Sequence, residues 1–214
     1  MTILFVTSHD EATQANHSMA LRIEDNSDLR LYKHDAIRAS LLNALQNQDD
    51  TTVFIMSHGR PVSVVDNMNS RAIDELDGPI LSNYKIFAWA CWTGATLGYK
   101  LAQSGTVWWG YDCPVTAPDE RDPYASIMSN FFKTAKTLFV SANDYASVMQ
   151  VLERIKNVCI NAQYELDSIG ADQDVDAFSI YSCCNQFWER LSVWLADHAV
   201  PCRHPLAPPA YIDI

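Results

Sequence analysis

The sequence lacks long apolar runs and is poor in basic residues. No stretch approaches the roughly 18 apolar residues that a membrane-spanning helix needs, and residues 1–7 are too short and lack the basic start of a signal peptide. Only 15 lysines and arginines stand against 26 acidic residues, and the net charge of −11 argues against a nucleic-acid or anionic-membrane surface. We therefore expect a cytoplasmic protein whose partners are proteins rather than nucleic acid or membranes.

Paired cysteine motifs and domain linkers are also missing. The six cysteines form no CxxC pair and no Cys/His cluster at zinc-finger spacing, so reduced thiols are the simplest account of them, and we predict no metal and no cofactor. No linker divides the 214 residues, of which 48% are hydrophobic. We expect one domain over residues 1–214, with its core at about 1–170 and a C-terminal strand, helix and proline-rich tail at 171–214.

What the sequence does contain is two apolar segments that end in reactive side chains. Residues 84–90 are typical of a strand buried on both faces and lead directly into Cys91. Residues 51–57 have the same construction and lead into His58 and Gly59. If both are parallel strands of one sheet, their carboxyl ends lie side by side, and the imidazole and the thiol face a shared cleft.

The position of Cys91 favours chemistry, although a plain structural role is also consistent with it. A helix capped by Thr93 would begin just after Cys91, and a helix N-terminus favours the thiolate form of a nearby cysteine. A buried structural cysteine is the alternative, because free cysteine is among the most buried residue types.

The alternation of strands and helices predicts the architecture. Apolar runs near residues 3–7, 52–57, 84–90 and 106–109 alternate with helical patterns, which argues for right-handed crossovers and helices on both faces. The predicted fold class is α/β, a three-layer sandwich with a mostly parallel central sheet. Amphipathic helices are expected after Asp35, after Pro123 and after a capping box at 141–144 that closes at Gly170.

Five segments have weaker patterns. Residues 8–33 are predicted to be a long polar loop with a hairpin around 26–27, and 72–76 a short helix. Residues 177–183 are predicted to form a last strand and 187–195 an amphipathic helix. The adjacent Cys183 and Cys184 are expected to be packing residues, and 205–214 to form an extended strap.

The two strand ends together resemble a known family. A strand followed by His58-Gly59, then a short strand ending in Asp66, then a strand followed by Ala90-Cys91-Trp92-Thr93-Gly94, looks like the caspase-like (clan CD) cysteine peptidases, and most like their bacterial CHAT branch. The resemblance covers roughly residues 50–160, with looser agreement at 110–115. The His to Cys spacing is on the short side, and Trp89 stands where some relatives with basic specificity carry an acid.

The resemblance implies an endopeptidase of caspase-like fold that cleaves a specific protein partner. In that reading Cys91 attacks the scissile carbonyl as a thiolate, and His58 acts as acid and base. The backbone N–H groups of Gly59 and Cys91 form the oxyanion hole, and no third residue is required. Bacterial relatives of this type often act in antiviral defence, and an activating or inhibitory protein partner is a further expectation. Cys113 is a weaker alternative nucleophile.

Caspase-like pockets also imply where the substrate side chain binds. Groups after the first strand and after the strand that follows the nucleophile point to Asp10 and Asp112, where two carboxylates and no basic residue would favour lysine or arginine. Trp89, with Trp108 and Trp109, would instead make the pocket apolar.

Other functions stay open at this point. The same His58 and Cys91 pair would serve an amidase acting on small molecules. A scaffold of the same fold that has lost catalysis is another alternative, and the presence of both His58 and Cys91 argues against it. A signalling module with a flavodoxin-like sheet would need neither side chain, and an unreactive Cys91 would favour it.

Overall fold

The computed structural model describes residues 1–47, 52–196 and 198–209. Within these ranges the chain forms nine strands and seven α-helices. The strands are β1 (Ile3–Val6), β2 (Leu29–Tyr32), β3 (Thr52–Met56), β4 (Gly59–Arg60), β5 (Ser63–Val65), β6 (Arg71–Asp74), β7 (Lys85–Trp89), β8 (Val107–Tyr111) and β9 (Leu191–Trp194). The helices are α1 (Glu11–Ile23), α2 (Arg38–Asn47), α3 (Gly78–Leu81), α4 (Thr96–Ala102), α5 (Tyr124–Leu138), α6 (Tyr145–Ser168) and α7 (Ala177–Glu189).

A six-stranded sheet forms the centre of the molecule. Its strand order is β2-β1-β3-β7-β8-β9, in which every neighbouring pair is parallel except β8 and β9. The four strands predicted from the sequence are confirmed, and they lie side by side in the middle of this sheet; Thr51 of the second one lies outside the described residues. The sheet is therefore mostly parallel, as expected.

Apolar layers cover both faces of the sheet. One face carries Phe54, Phe87 and Trp109, which pack against α1, α5, α6 and α7. The other carries Ile55 and Trp108, which pack against α2, α3, α4 and a small antiparallel sheet of β4, β5 and β6. Strands buried on both faces explain the nearly continuous apolar runs in the sequence. The chain is thus an α/β protein with the arrangement of a three-layer sandwich.

The long amphipathic helices are largely as predicted. Helices α2 and α5 occupy the predicted segments, and α6 ends before Gly170, which adopts the left-handed conformation with φ of 74°. The capping box of α6 lies one turn later than expected, at Asp144 and Ser147, whose side chains satisfy each other's backbone N–H groups.

The prediction of a loop with a hairpin over residues 8–33 is wrong. Helix α1 occupies most of this segment, and β2 pairs with β1 in parallel instead of forming a hairpin. The buried face of α1 mixes polar and apolar residues, including Thr13, Asn16 and His17. A search for apolar periodicity alone therefore misses this helix.

Three further local predictions are wrong. Residues 71–74 form β6, which pairs with β5, rather than part of a helix. Residues 177–189 form α7, because Ile180, Cys183, Cys184 and Phe187 recur at helical spacing and face the core. The segment predicted as the last helix contains β9, whose side chains are all buried against β8 and the layers above it. Cys183 and Cys184 are indeed packing residues.

The end of the described chain lies against the body of the protein. Cys202 exchanges backbone hydrogen bonds of 2.7 and 2.9 Å with Val193, and the Arg190 guanidinium donates a hydrogen bond of 3.0 Å to the Pro209 carbonyl. The predicted strap extends to residue 214, of which 210–214 lie outside the described residues. Among the described residues, none of the helices combines the length and apolar character needed to cross a membrane.

Candidate active site

The sheet brings His58 and Cys91 to the same edge. Strands β3 and β7 are parallel neighbours in which Met56 lies opposite Trp89, and the Ser57 N–H bonds the Trp89 carbonyl at 3.2 Å. His58 and Cys91 follow directly. Both line one small cleft of about 90 Å³, together with Ala12, Thr13, Asn16, Ser57, Trp89, Val115 and Ala117. The predicted pair thus shares a cleft at the carboxyl ends of the strands, where ligands bind in open α/β sheets.

Gly59 allows the two strand ends to approach closely. A Cβ atom at this position would lie 2.2 Å from the carbonyl oxygen and 2.8 Å from the nitrogen of Cys91, far inside normal contact. Gly59 lies opposite Val64, and the bond of 3.0 Å from the Val65 N–H to the His58 carbonyl flanks this pair. The pair is therefore a non-hydrogen-bonded one, and the Gly59 N–H is not used in pairing with β5.

A sharp, well-anchored turn presents the Cys91 side chain. Trp92 has a positive φ of 63°, which is rare for a bulky residue and is held here by its neighbours. Its N–H bonds the Cys113 carbonyl at 3.1 Å, and the Gly94 N–H bonds the Tyr111 carbonyl at 2.8 Å. The Thr93 hydroxyl donates to the Ala90 carbonyl at 2.9 Å. Such a turn fixes the direction in which the thiol points.

The expected helix dipole at Cys91 is not present. Helix α4 begins at Thr96, and its N-cap is Ala95 rather than Thr93. Burial raises the pKa of the Cys91 thiol, and a hydrogen bond from the Val115 N–H to Sγ, at 3.3 Å, opposes this only in part. The side chain is nonetheless partly exposed. In the free protein at neutral pH the residue is a thiol, so its use as a nucleophile requires a base.

Cys113 is a poor alternative nucleophile. It is buried, and burial together with the negative charge of the adjacent Asp112 raises its pKa to about 12.

His58 has a partner that the sequence did not identify. Its Nε2 lies 2.6 Å from Oδ2 of Asp10, while Oδ1 of Asp10 accepts hydrogen bonds from the N–H of Thr13 at 3.0 Å and from its hydroxyl at 2.8 Å. Partial burial acts to raise the pKa of Asp10, but the hydrogen bonds from Thr13 and His58 lower it to about 2. The side chain is an anion at all physiological pH values.

The Asp10 anion determines how the imidazole is protonated. A carboxylate only accepts hydrogen bonds, so Nε2 of His58 carries the proton. In the neutral imidazole Nδ1 is then the free base. A thiol, a base and a carboxylate that orients the base make up the usual constellation for nucleophilic catalysis. Asp10, which was predicted to bind the substrate, lies in the position of the carboxylate that orients the base.

Two further polar residues lie near the cleft: Asn16, which the sequence did not single out, and His9, which the sequence offers as a pocket-lining or solvated loop residue next to Asp10. His9 places Nε2 3.5 Å from Oδ2 of Asp10, and its ring centre lies 5.3 Å from that of His58. Ligand atoms of His9, Asp10 and His58 all lie within 4.8 Å of one another, a spacing at which they can hold a metal ion. Asn16 lines the cleft with 6% of its surface exposed, and its Oδ1 has no hydrogen-bond partner among the described residues.

The remaining predicted substrate-binding residues are buried. Asp112 is 8% exposed and forms an ion pair of 3.1 Å with Arg203, so the premise that no basic residue lies at either carboxylate is wrong. Trp89 contributes to the wall of the cleft, but only 1% of its surface is exposed. Trp108 and Trp109 are fully buried on opposite faces of the sheet. Each of the two carboxylates thus has its own partner, His58 for Asp10 and Arg203 for Asp112.

Comparison of the chain with protein-family models, with curated proteins and with solved structures finds no match. The case for any function therefore comes from the geometry described above.

Proposed function

We propose that the protein is a cysteine endopeptidase of caspase-like type, with Cys91 as nucleophile, His58 as acid and base, and Asp10 as the residue that positions His58. The observation that carries the proposal is the 2.6 Å contact between Asp10 and His58, at the edge of a cleft that Cys91 also lines. A structural histidine at a strand end needs neither a carboxylate partner nor a thiol neighbour.

The first chemical step transfers the Cys91 proton to Nδ1 of His58. The sulfur electron pair forms a bond to the substrate carbonyl carbon, and the carbonyl π electrons move to oxygen. When the tetrahedral intermediate collapses, the amine leaves with the proton that His58 held. Water then adds to the acyl group as His58 takes its proton, and the thiol of Cys91 leaves with that proton. Asp10 stabilises the imidazolium in each half of the cycle, because it stays ionised.

The oxyanion is proposed to bind the N–H groups of Gly59 and Cys91. Gly59 is suited to this because its N–H is not used in pairing with β5, and because the absence of a side chain lets its backbone lie close to that of Cys91. One donor of this kind contributes roughly 3 kcal/mol to transition-state stabilisation.

The substrate that we propose is a peptide within a partner protein. The buried Asn16 amide in the cleft offers an unpaired oxygen to a substrate N–H, since leaving it unpaired costs free energy. Cleavage of a dedicated partner in bacterial antiviral defence, in the cytoplasm and under the control of another protein, follows from the resemblance to CHAT peptidases alone.

A small-molecule amidase is the second candidate. The cleft of about 90 Å³ favours it, because a pocket for a drug-sized or larger ligand usually has several times this volume. The endopeptidase and the amidase would use the same three residues, and the size of the substrate distinguishes the two functions.

The test combines alkylation and peptide cleavage. Iodoacetamide labelling of Cys91, followed by mass spectrometry over a pH series, should be slowed in His58→Ala and Asp10→Asn, because both variants lose the oriented base. On a peptide library, Cys91→Ala should abolish cleavage, Cys113→Ala should retain it, and Asp10→Asn should lower kcat by roughly 10²–10⁴-fold.

Two outcomes would reject the peptidase. One is full cleavage by Cys91→Ala. The other is alkylation of Cys91 at the same rate in the wild type and in His58→Ala, together with no cleaved peptide, which would favour a silent scaffold. Turnover of small amides without any peptide cleavage would support the amidase instead.

A further inference from the structure

Three metal-ligating side chains converge beside the cleft: His9, Asp10 and His58. We propose that they bind a divalent transition-metal ion, zinc being the best fit, and that the bound ion prevents His58 from acting as a base. The binding itself is independent of the enzyme assignment, whereas its inhibitory effect rests on the proposed function.

The topology of the sheet produces the convergence. His9 and Asp10 follow β1, and His58 follows β3, which is the parallel neighbour of β1 with Val6 opposite Met56. Carboxyl ends of adjacent parallel strands lie at one edge of a sheet. The three side chains therefore leave the backbone in the same region without any unusual loop.

Hydrogen bonds leave one oxygen of Asp10 directed at both imidazoles. Oδ1 is occupied by the backbone and hydroxyl groups of Thr13. Oδ2 lies 2.6 Å from Nε2 of His58 and 3.5 Å from Nε2 of His9. A single carboxylate oxygen between two imidazole nitrogens is a donor set that zinc prefers, with room for a fourth ligand.

The distances are close to those that a tetrahedral ion requires. Metal–ligand bonds of 2.0–2.1 Å place neighbouring ligand atoms about 3.3 Å apart. The contact of 2.6 Å between Asp10 and His58 must lengthen, while the contact of 3.5 Å between Asp10 and His9 is already close to this value; the ligand atoms of the two histidines lie within 4.8 Å of each other. Small side-chain rotations suffice, because the side chains of His9, Asp10 and His58 are 22%, 44% and 39% exposed. The same exposure leaves the fourth position open to water.

Metal binding at Nε2 changes the other nitrogen of His58. A neutral imidazole with its Nε2 lone pair on a metal carries its proton on Nδ1. Nδ1 then has no lone pair for the Cys91 proton, and Asp10 no longer accepts from Nε2. The ion and the peptidase reaction are thus mutually exclusive at this site.

The test uses Co²⁺ as a spectroscopic probe of the full chain, with Zn²⁺ as competitor. The wild type should show the visible absorption of a bound Co²⁺ ion, lost on adding Zn²⁺. His9→Ala should weaken Co²⁺ binding by more than about tenfold, since even outer-shell partners of a metal site are worth 10–100-fold. His34→Ala is the matched control, because His34 and Asp35 form an exposed pair at the same 3.5 Å distance, and the described residues place no third ligand beside them.

The outcomes separate the inference from the enzyme assignment. Equal Co²⁺ affinity in wild type, His9→Ala and His34→Ala would overturn the metal site, and so would loss of binding in Cys91→Ala. If the site binds Co²⁺ while Cys91 is alkylated at the same rate in the wild type and in His58→Ala and no peptide is cleaved, the metal site holds and the peptidase is rejected. If peptides are cleaved, Zn²⁺ should inhibit the wild type strongly and His9→Ala at more than about tenfold higher concentration; equal inhibition of both would refute the inhibitory role.

Discussion

At the scale of single residues, Asp10 connects the fold with the proposed chemistry. One of its oxygens caps α1 through Thr13, and the other contacts His58. Because the cap holds the side chain in one rotamer, the carboxylate meets the imidazole without a further loss of conformational freedom. The sequence predicted a single role for Asp10, in substrate binding, and did not reveal that it both caps α1 and contacts His58.

Gly59 is the residue whose replacement tests the close approach of the strand ends. In Gly59→Ala the new methyl group meets backbone atoms of Cys91, and we expect a loss of about 1–3 kcal/mol in the free energy of unfolding, together with slower alkylation of Cys91. Urea unfolding and timed labelling measure the two effects.

Gly170→Ala is the control for that experiment. Gly170 has a positive φ of 74°, and nothing lies within 4 Å of an added Cβ, so its replacement is strained but remote from the cleft. Both variants should lose stability, and only Gly59→Ala should change Cys91. Unchanged labelling in Gly59→Ala would show that this contact does not position the thiol.

At the scale of elements, α1 and α6 begin with the same capping box. Asp10 with Thr13 and Asp144 with Ser147 make matching reciprocal bonds, yet only the first lies at the cleft. The two capping boxes can therefore be compared by mutation: equal losses of helix stability should affect the cleft only when the mutation is in the capping box of α1.

Thr13→Ala and Ser147→Ala should each lower the free energy of unfolding by about 1 kcal/mol, the usual contribution of a cap. Only Thr13→Ala removes a hydrogen bond, that of the hydroxyl to Oδ1, from the carboxylate that contacts His58, so only this variant should slow the labelling of Cys91. Thr13→Ser keeps the hydroxyl and should restore the wild-type rate. If Ser147→Ala slows labelling as much as Thr13→Ala, the effect is one of general stability and not of the Asp10 position.

At the scale of the whole molecule, ion pairs secure the C-terminal segment beyond β9. Arg203 pairs with the buried Asp112 after β8, and His204 lies 2.6 Å from Glu153 of α6. Residues 203 and 204 thus contact both the loop after β8 and helix α6.

Removing only one partner of the Asp112–Arg203 ion pair should strongly lower the free energy of unfolding. Arg203→Met leaves the Asp112 carboxylate buried without its cation, and we expect a loss of about 3–5 kcal/mol in the free energy of unfolding. Combining it with Asp112→Asn should restore most of that loss. Urea unfolding of the three variants gives the comparison, and a loss below about 1 kcal/mol in Arg203→Met would mean that the pair behaves like an exposed one.

Acid should weaken the attachment of His204 to Glu153. Hydrogen bonds from His204 and Lys156 lower the pKa of Glu153 from 4.5 to about 2 in the folded protein. A group with a lowered pKa stabilises the fold fully above its unfolded pKa and loses that contribution as the pH falls through its folded pKa. The wild type should therefore exceed Glu153→Gln in melting temperature above pH 4.5, and the difference should disappear by about pH 2. A difference that stays constant across this range would contradict the assignment.

The sequence by itself determined the centre of the molecule. Strands β1, β3, β7 and β8 were predictable because strands buried on both faces need continuous apolar residues, and His58 and Cys91 because they follow two such strands. Helices with a single apolar stripe, such as α5, were predictable for the same local reason.

Only the tertiary structure decided the rest of the site. Asp10 contacts His58 because β1 and β3 are neighbours in the sheet. Arg203 pairs with Asp112 because the segment after β9 packs against the loop that follows β8. The sequence likewise gives no apolar pattern that identifies α1 as a helix, because its buried face is partly polar. It gives none that identifies β9 as a strand paired with β8. Polar contacts between distant residues carry no periodic pattern in the sequence, because their partners are set by the packing of the sheet and its layers rather than by the neighbouring residues.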